Sequence, residues 1–286
     1  MFIMHRVKRY FTEKVYKALS LVSRRRGVTS QKRNVELIVS LTSIAERIDT
    51  LHICIESLLR QDLRPDRIIL WLSEGRTPDG NKLCLGTLPT SLTSKVKRGL
   101  EIRWCSDFGP FRKLYPTLIE YPNAIIVTAD DDVIYPHDWL RRLYDSYEKD
   151  PTSVHCHIAH RITFTEDGIP QPYSQWEKDV HGHFKPSKVL FPVGAGGVLY
   201  APEHLHQQAI NKDEFLCICP RADDIWWKAM SLLSDTAVTK VEGSARKIFA
   251  IKIPCTPRLF EENVVRFGND EQLKQVNEAF GCFNLE

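Results

Sequence analysis

The chain has 286 residues, 43% hydrophobic and 26% charged, with 14 glycines and 16 prolines. This length and mix exclude collagen-like, coiled-coil and wholly disordered classes and suit one large α/β domain or two fused halves. The formal net charge of +3 is unevenly divided: residues 1–33 hold ten of the 39 Lys and Arg against a single acid, Glu13, for +9, and the rest carries −6. That body is too acidic for a general nucleic-acid binder, whereas the first segment is a concentrated cationic patch.

At the N-terminus, Ile3, Val7, Tyr10, Phe11, Val15, Ala18, Leu19 and Val22 recur at spacings of three and four, with Arg6, Lys8, Arg9, Lys14 and Lys17 largely between them. The pattern predicts an amphipathic helix. No run approaches the roughly 20 apolar residues that span a bilayer, and charges interrupt any signal-peptide core, so neither an anchor nor secretion is expected. Two arrangements fit: a helix lying on an anionic inner-leaflet surface, or one docked on the domain by its apolar stripe with Arg24-Arg25-Arg26 as a solvated linker. Residues 24–34 mark the boundary.

From Val35 short β-branched runs alternate with helical stretches, which predicts βα units and a largely parallel sheet. Strands are expected at Val35–Leu41, Arg67–Leu72, Leu100–Cys105 and Ala124–Ala129, with helices over about 50–60 and 112–121. A turn-rich insertion surrounds Pro78-Asp79-Gly80-Asn81. Beyond Asp130-Asp131-Asp132 the pattern predicts a helix near 137–148, a strand at Val154–Ile158, a strand-like Leu190–Tyr200, a helix over 223–234, and strands at 238–241 and 247–253. Residues 34–132 read as a nucleotide-binding half and 133–286 as a mixed extension. The eight cysteines form no CxxC pair, which favours reduced, cytosolic thiols; Cys217 and Cys219 make a lone CxC expected to pack in a strand or loop.

The acidic triplet is the most chemically demanding feature. Two unit charges about 4 Å apart repel by roughly 1 kcal/mol in water and about 4 in a protein-like medium, so a cation should reside nearby. Carboxylates select hard divalent ions, and the carboxyl end of a parallel strand is where α/β sheets bind ligands, so Mg²⁺ or Mn²⁺ bridging to a diphosphate fits. A solvated turn or cap before the next helix fits as well. Gly194, Gly196 and Gly197 interrupt a strand-like run, marking either a bulge or a close backbone approach to a ligand. His155 and His157 fall on one strand face and His160 on the other, so core or surface histidines are expected in preference to a metal site.

The string TADDDVIYP after a hydrophobic strand resembles the DXD motif of nucleotide-sugar-dependent glycosyltransferases with the GT-A fold, particularly family-2-like bacterial enzymes. VSLTSIAERI at 39–48, SLLRQDLRPDRIILWLS at 57–73, FGPFRKLYPTL at 108–118, GAGGVLY at 194–200 and RADDIWW at 221–227 agree in order. The resemblance covers roughly residues 35–275. It implies an α/β GT-A domain, a Rossmann-like half fused to a mixed-sheet acceptor half, that transfers a sugar from a nucleoside-diphosphate donor, by family frequency a UDP-sugar. The acceptor would be a glycan or lipid-linked oligosaccharide in bacterial surface polysaccharide synthesis, reached from the cytoplasmic membrane face.

By the same resemblance Asp132 ligates the metal and Asp130 lies near it and the donor ribose, with Asp131 beside them. Thr42, Ser43 and Arg47 would hold the nucleotide base, or else form a helix cap with an exposed Arg. Lys113 would project toward the donor, or else be a surface Lys at a helix start. Gly196 and Gly197 belong to the loop that faces the donor sugar and acceptor in that family. Asp224 resembles the catalytic base of inverting enzymes, with Asp223 its nearest competitor; both also suit a helix N-terminus. Trp226 and Trp227 fit a sugar-stacking face or core packing. No C-terminal His follows His206 to complete a metal shell. A metal-dependent phosphohydrolase and a catalytically silent sugar-nucleotide-binding scaffold are the alternatives.

Overall fold

Elements take shape in the order the apolar runs dictate. Helix α1 (Phe2–Val22) precedes strand β1 (Leu37–Thr42), helix α2 (Ile48–Leu59), strand β2 (Arg67–Leu72), the short helix α3 (Thr90–Thr93), β3 (Leu100–Trp104), α4 (Tyr115–Glu120), β4 (Ile125–Ala129) and the two-residue β5 (Val133–Ile134). The second half runs through α5 (Trp139–Lys149), β6 (Val154–Cys156), β7 (Ala159–Arg161), β8 (Leu190–Pro192), β9 (Val198–Tyr200), α6 (Lys212–Ile218), α7 (Asp223–Leu233), β10 (Val238–Lys240), β11 (Phe249–Ala250) and α8 (Gly268–Phe280). The computed structural model describes residues 2–31, 33–76, 80, 82–182, 185–242, 248–253 and 268–285, with side chains from residue 8.

Seven strands form the main sheet in the order β10-β6-β9-β4-β1-β2-β3. Strands β3, β2, β1 and β4 are mutually parallel, with Val39 beside both Ile68 and Val127, while β9 runs antiparallel between β4 and β6. β1 and β4 are mostly apolar on both faces, as suits strands covered on both sides, and the buried hydroxyls of Ser40 and Thr128 are hydrogen-bonded to Thr117 and to the Val198 carbonyl. Leu37, Val39, Leu41, Ile125 and Val127 enter the core under α2 and α5, and Ile38 and Ile126 enter a second core with Trp226 and Val276 from α7 and α8. The chain winds from β1 outward through β2 to β3 and then returns to the other side of β1 with β4. That reversal opens a crevice at the carboxyl ends of β1 and β4, where Ser43–Arg47 and Asp130–Asp132 lie. The molecule is a mixed α/β protein of Rossmann-like design.

Several expectations are corrected. Leu190–Tyr200 is not one strand: β8 pairs with β7 in a separate ribbon, β9 enters the main sheet, and a one-turn 3-10 segment, Gly194–Gly196, separates them. The expected helix over 112–121 is a 3-10 turn (Gly109–Lys113) followed by α4, each opened by a proline, Pro110 and Pro116. Cys217 lies inside α6 and Cys219 caps it, so the CxC is helical; Asn211 caps that helix by accepting from the Glu214 N–H at 3.4 Å. The seven described cysteines are free. Cys255, Lys247, most of the 78–81 turn and the side chains of Ile3 and Val7 lie outside the described residues.

Helix α1 does pack on the domain, against α2, but most of the described part of its apolar stripe stays outside the contact: Tyr10, Phe11, Val15, Ala18 and Val22 are exposed and Leu19 is half-buried. Tyr16 and Ser20 face inward, the Ser20 hydroxyl lies 2.6 Å from His52 Nδ1, and Lys95 donates to the Ser20 carbonyl. The segment after the helix is tied down as well: the Gly27 N–H donates to the Arg98 carbonyl at 2.8 Å, and the Arg98 guanidinium donates to the Arg25 carbonyl. It is therefore not a free linker. No helix among the described residues is long and apolar enough to cross a membrane.

His155 and His157 are fully buried and hydrogen-bonded, His155 to Ser146 and the Asp150 carbonyl, His157 to the Trp139 carbonyl at 2.9 Å. Burial pushes both down to about 4. An unfolded histidine binds its proton near pH 6.5, so between there and about 4 the unfolded state holds more protons and stability falls on acidification. Each histidine contributes a slope of about 1.4 kcal/mol per pH unit in that window. Urea titrations across it should give a shallower pH dependence for His157→Gln than for the unaltered protein; an identical slope would remove this role.

Candidate functional site

β1 ends at Thr42, whose hydroxyl donates to the Trp71 carbonyl at 2.9 Å and so locks the strand end to β2. The chain then turns, and Ser43 and Arg47 reach across to the segment that follows β4. Ser43 donates to Asp131 Oδ2 at 2.5 Å, and Arg47 Nη1 lies 2.7 Å from Asp131 Oδ1 and 3.5 Å from Asp132 Oδ2. Burial pushes the Asp131 carboxyl up, opposed by Arg47 and the Ser43 hydrogen bond. Burial also opposes the Arg47 charge, but Asp131 and Asp132 outweigh it and hold the guanidinium firmly protonated. Arg47 is thus an inward partner of the triplet and not an exposed cap residue.

Lys113 supplies the second cation. Gly109 adopts φ +57° and Pro110 starts a tight 3-10 turn, which drives Phe111 into the core, stacked on Phe215 with ring centres 4.0 Å apart. Two residues on, Lys113 is carried inward and buried, which rules out a surface role. Its Nζ lies 3.1 Å from Asp130 Oδ1, 3.1 Å from Asp223 Oδ2 and 3.8 Å from Asp224 Oδ1. Burial alone would lower this ammonium, but the three carboxylates together hold it well above its ordinary value. One amine therefore joins the triplet after β4 to the N-terminus of α7, segments about ninety residues apart.

Asp223 and Asp224 open α7, and burial raises both, with Lys113 opposing. Their environments differ: the Asp223 side chain is 9% exposed and Asp224 is 28% exposed. Asp224 Oδ2 accepts the Gly194 N–H at 2.8 Å. A Cβ on Gly194 would stand 2.6 Å from Asp224 Oδ1 and 2.7 Å from Lys113 Nζ, so only glycine lets this backbone approach the charge cluster. Gly196 and Gly197 answer to other neighbours, since their Cβ positions would meet Ile158 and the Trp139 indole; Gly197 also has φ +89°. They shape the turn, and it is Gly194 that touches the acidic site.

Two residues escaped notice in the sequence. Tyr135 accepts the Asp130 N–H at 2.8 Å and donates to the Ala195 carbonyl at 3.3 Å, and Trp139 donates to the Gly196 carbonyl at 2.7 Å. Both hold the glycine turn against the triplet. The only available signal was their position just after the DDD string, where aromatic residues read equally as core. Trp226 and Trp227 are buried among aromatic side chains including Phe111, Phe215 and Phe280, so neither offers a sugar-stacking face.

Among the described residues the ion-pair network joins five carboxylates, Asp130, Asp131, Asp132, Asp223 and Asp224, to two cations, Arg47 and Lys113. The hard carboxylate oxygens suit a divalent cation. Asp131 is withdrawn by Ser43 and Arg47, whereas Asp130 and Asp132 are 30% and 22% exposed. No cluster of three or more His, Cys, Asp or Glu side chains among the described residues forms an all-protein cage. An ion here would take one or two carboxylates and complete its shell with substrate oxygens and water, as Mg²⁺ commonly does.

No protein-family model matches the sequence. No curated protein matches it either. Among solved structures, the chain is similar to the inositol-1-phosphate CTP transferase from T. maritima, at 10% identity with a TM-score of 0.46, covering 87% of this chain and 98% of that one. So distant a likeness carries no argument about chemistry, which rests on the residues themselves. The fold and site define an α/β protein with an acidic, lysine-bridged crevice at the switch point of its sheet.

Removing one partner of a buried ion pair typically costs about 3–5 kcal/mol because the other charge is left uncompensated. Lys113→Met should lower stability by about that amount at neutral pH. The loss should shrink toward acid pH, where the stranded carboxyls take up protons instead. Equal losses at neutral and acid pH, measured by urea unfolding, would mean that the ammonium is not what holds these carboxylates together.

Proposed function

We propose that the protein is a metal-dependent, inverting glycosyltransferase of the GT-A type that moves a sugar from a nucleoside diphosphate, with UDP favoured by the sequence resemblance, to a glycan or lipid-linked hydroxyl acceptor. The observation that carries this reading is the Lys113 bridge between Asp130 and the Asp223–Asp224 pair. It brings a donor-side and an acceptor-side carboxylate group into one crevice at the carboxyl ends of β1 and β4, where α/β sheets bind nucleotides. The sequence resemblance in five ordered segments supports the same assignment, including a role in bacterial surface polysaccharide synthesis.

Transfer breaks the bond between the anomeric carbon and the diphosphate oxygen, whose electron pair leaves with the diphosphate. A bond forms from the acceptor oxygen to the opposite face of that carbon, and the acceptor proton must go elsewhere. Asp224 is the group suited to receive it: it is the more exposed of the α7 pair, its carboxyl is raised by burial, and the Gly194 N–H fixes one oxygen. Asp223, buried against Lys113, acts as a positioning residue. Arg47 and Ser43 hold Asp131 as a brace, while Asp130 and Asp132 stay partly exposed beside it. A divalent ion held by Asp132 and Asp130 would offset the charge of the departing diphosphate. Thr42 and the turn after it would border the base, with Gly194–Gly197 bordering the sugar.

Asp224→Asn keeps size and hydrogen bonding but removes basicity, so kcat should fall by roughly 10²–10⁴ while donor affinity changes little. Asp223→Asn should act more on stability than on proton transfer. Nucleotide release assayed with a panel of sugar donors, with and without Mn²⁺, checks the rate, and NMR of the product checks that the anomeric configuration is inverted. Near-normal kcat in Asp224→Asn, or a retained configuration, would remove Asp224 from the chemistry.

A further inference from the structure

Helix α1 turns the described part of its apolar stripe, apart from the half-buried Leu19, away from the domain. The face turned inward carries Tyr16 and Ser20, pinned by His52 of α2 and by Lys95, which follows α3. Phe11, Val15, Ala18 and Val22, spaced at i, i+4, i+7 and i+11, form one exposed row, and Tyr10 and Leu21 belong to the row beside it. Docking fixes the helix but leaves uncovered the surface that a docked amphipathic helix normally buries. Single exposed apolar residues need no explanation; six on one side of one helix do.

Charge identifies the occupant. Lys8, Lys14 and Lys17 stand exposed among or beside the stripe, with Lys14 Nζ 5.4 Å from the Tyr10 ring centre, and Arg24 and Arg26 follow just after the helix, also exposed. Where the chain leaves the helix, a cavity of about 450 Å³ is lined by Arg25, Arg33 and Arg64 against the single acid Asp62. The Arg25 Nε there is buried with no acceptor. A second copy of this face would set these cations against one another. An anionic bilayer would neutralise them while accepting the apolar row into its headgroup boundary.

We propose that α1 is a membrane-surface element: a rigidly docked helix whose outward face, Tyr10, Phe11, Val15, Ala18, Leu21 and Val22 ringed by cations, seats the domain on an anionic lipid bilayer. Lipid binding by α1 does not depend on the sugar-transfer assignment. Flotation of the full chain with vesicles of phosphatidylcholine, alone or with phosphatidylglycerol, tests it.

Binding is expected only with phosphatidylglycerol and should weaken as salt rises. Phe11→Glu with Val15→Glu should reduce partitioning at least about tenfold, since two apolar anchors are lost and repulsion is added. Lys14→Gln and Lys17→Gln should each weaken it about fivefold, the equivalent of about 1 kcal/mol per cation. These side chains are exposed, so thermal midpoints should be unchanged; if the glutamate pair does not fold, the glutamine variants carry the test. Absence of vesicle binding by the unaltered chain, or equal binding to neutral vesicles, overturns the proposal. So does sedimentation as a dimer that Phe11→Glu with Val15→Glu turns into monomers while vesicles remain unbound, because the stripe would then be a contact between copies.

Discussion

The site depends on one buried ammonium. Without Lys113, Asp223 would be a carboxylate with little solvent and no other countercharge among the described residues, at the start of a helix whose core-facing residues are deeply buried. With it, the segment after β4, the 3-10 turn before α4 and the N-terminus of α7 are held at salt-bridge distance in one crevice. The helix dipole contributes in the same sense, since both aspartates of α7 sit in its first turn. The Phe111–Phe215 stack is the mechanical counterpart: it anchors the turn that delivers Lys113, and Phe215 itself belongs to α6, the element just before α7.

Arg47 and Lys113 divide the acidic cluster between them, and the division gives its members unequal freedom. Asp131 and Asp223 are clamped and shielded, while Asp130, Asp132 and Asp224 keep a side open to the crevice. Adjacent aspartates therefore sit in unequal surroundings despite identical chemistry, because neighbouring positions point in different directions. Gly194 makes the arrangement sterically possible by letting a backbone N–H take the place where any side chain would stand.

The parallel half of the sheet was legible because β1, β2 and β4 are buried on both faces and read as short runs dominated by apolar and β-branched residues. The acidic strings were legible as chemistry because adjacent carboxylates are electrostatically costly. Repulsion shows that a cation is needed but not which one, and much of the answer lies in two basic side chains brought in from other segments. Arg47 is 84 residues from Asp131, a separation that no local pattern reports. Periodicity likewise detected the stripe on α1 but not the direction it faces, since docking is decided by Ser20, His52 and Lys95, polar residues that hydropathy passes over. Gly194, Gly196 and Gly197 marked a break that proved sharper than expected, splitting one strand between two sheets, whereas Pro110 and Pro116 divide what reads as one helix into a 3-10 turn and α4.

The central claim is that the loops after β1 and β4, the Lys113 turn and the Gly194 turn bind one nucleotide ligand together. Amide hydrogen exchange with UDP and Mn²⁺ measures this directly, because a ligand seated across all four slows exchange in each of them. Coordinated protection of residues 43–47, 109–113, 130–134 and 194–197, abolished by Asp132→Asn, is the predicted result. Protection confined to another part of the molecule, or none at ligand concentrations that saturate related sites, would contradict the account.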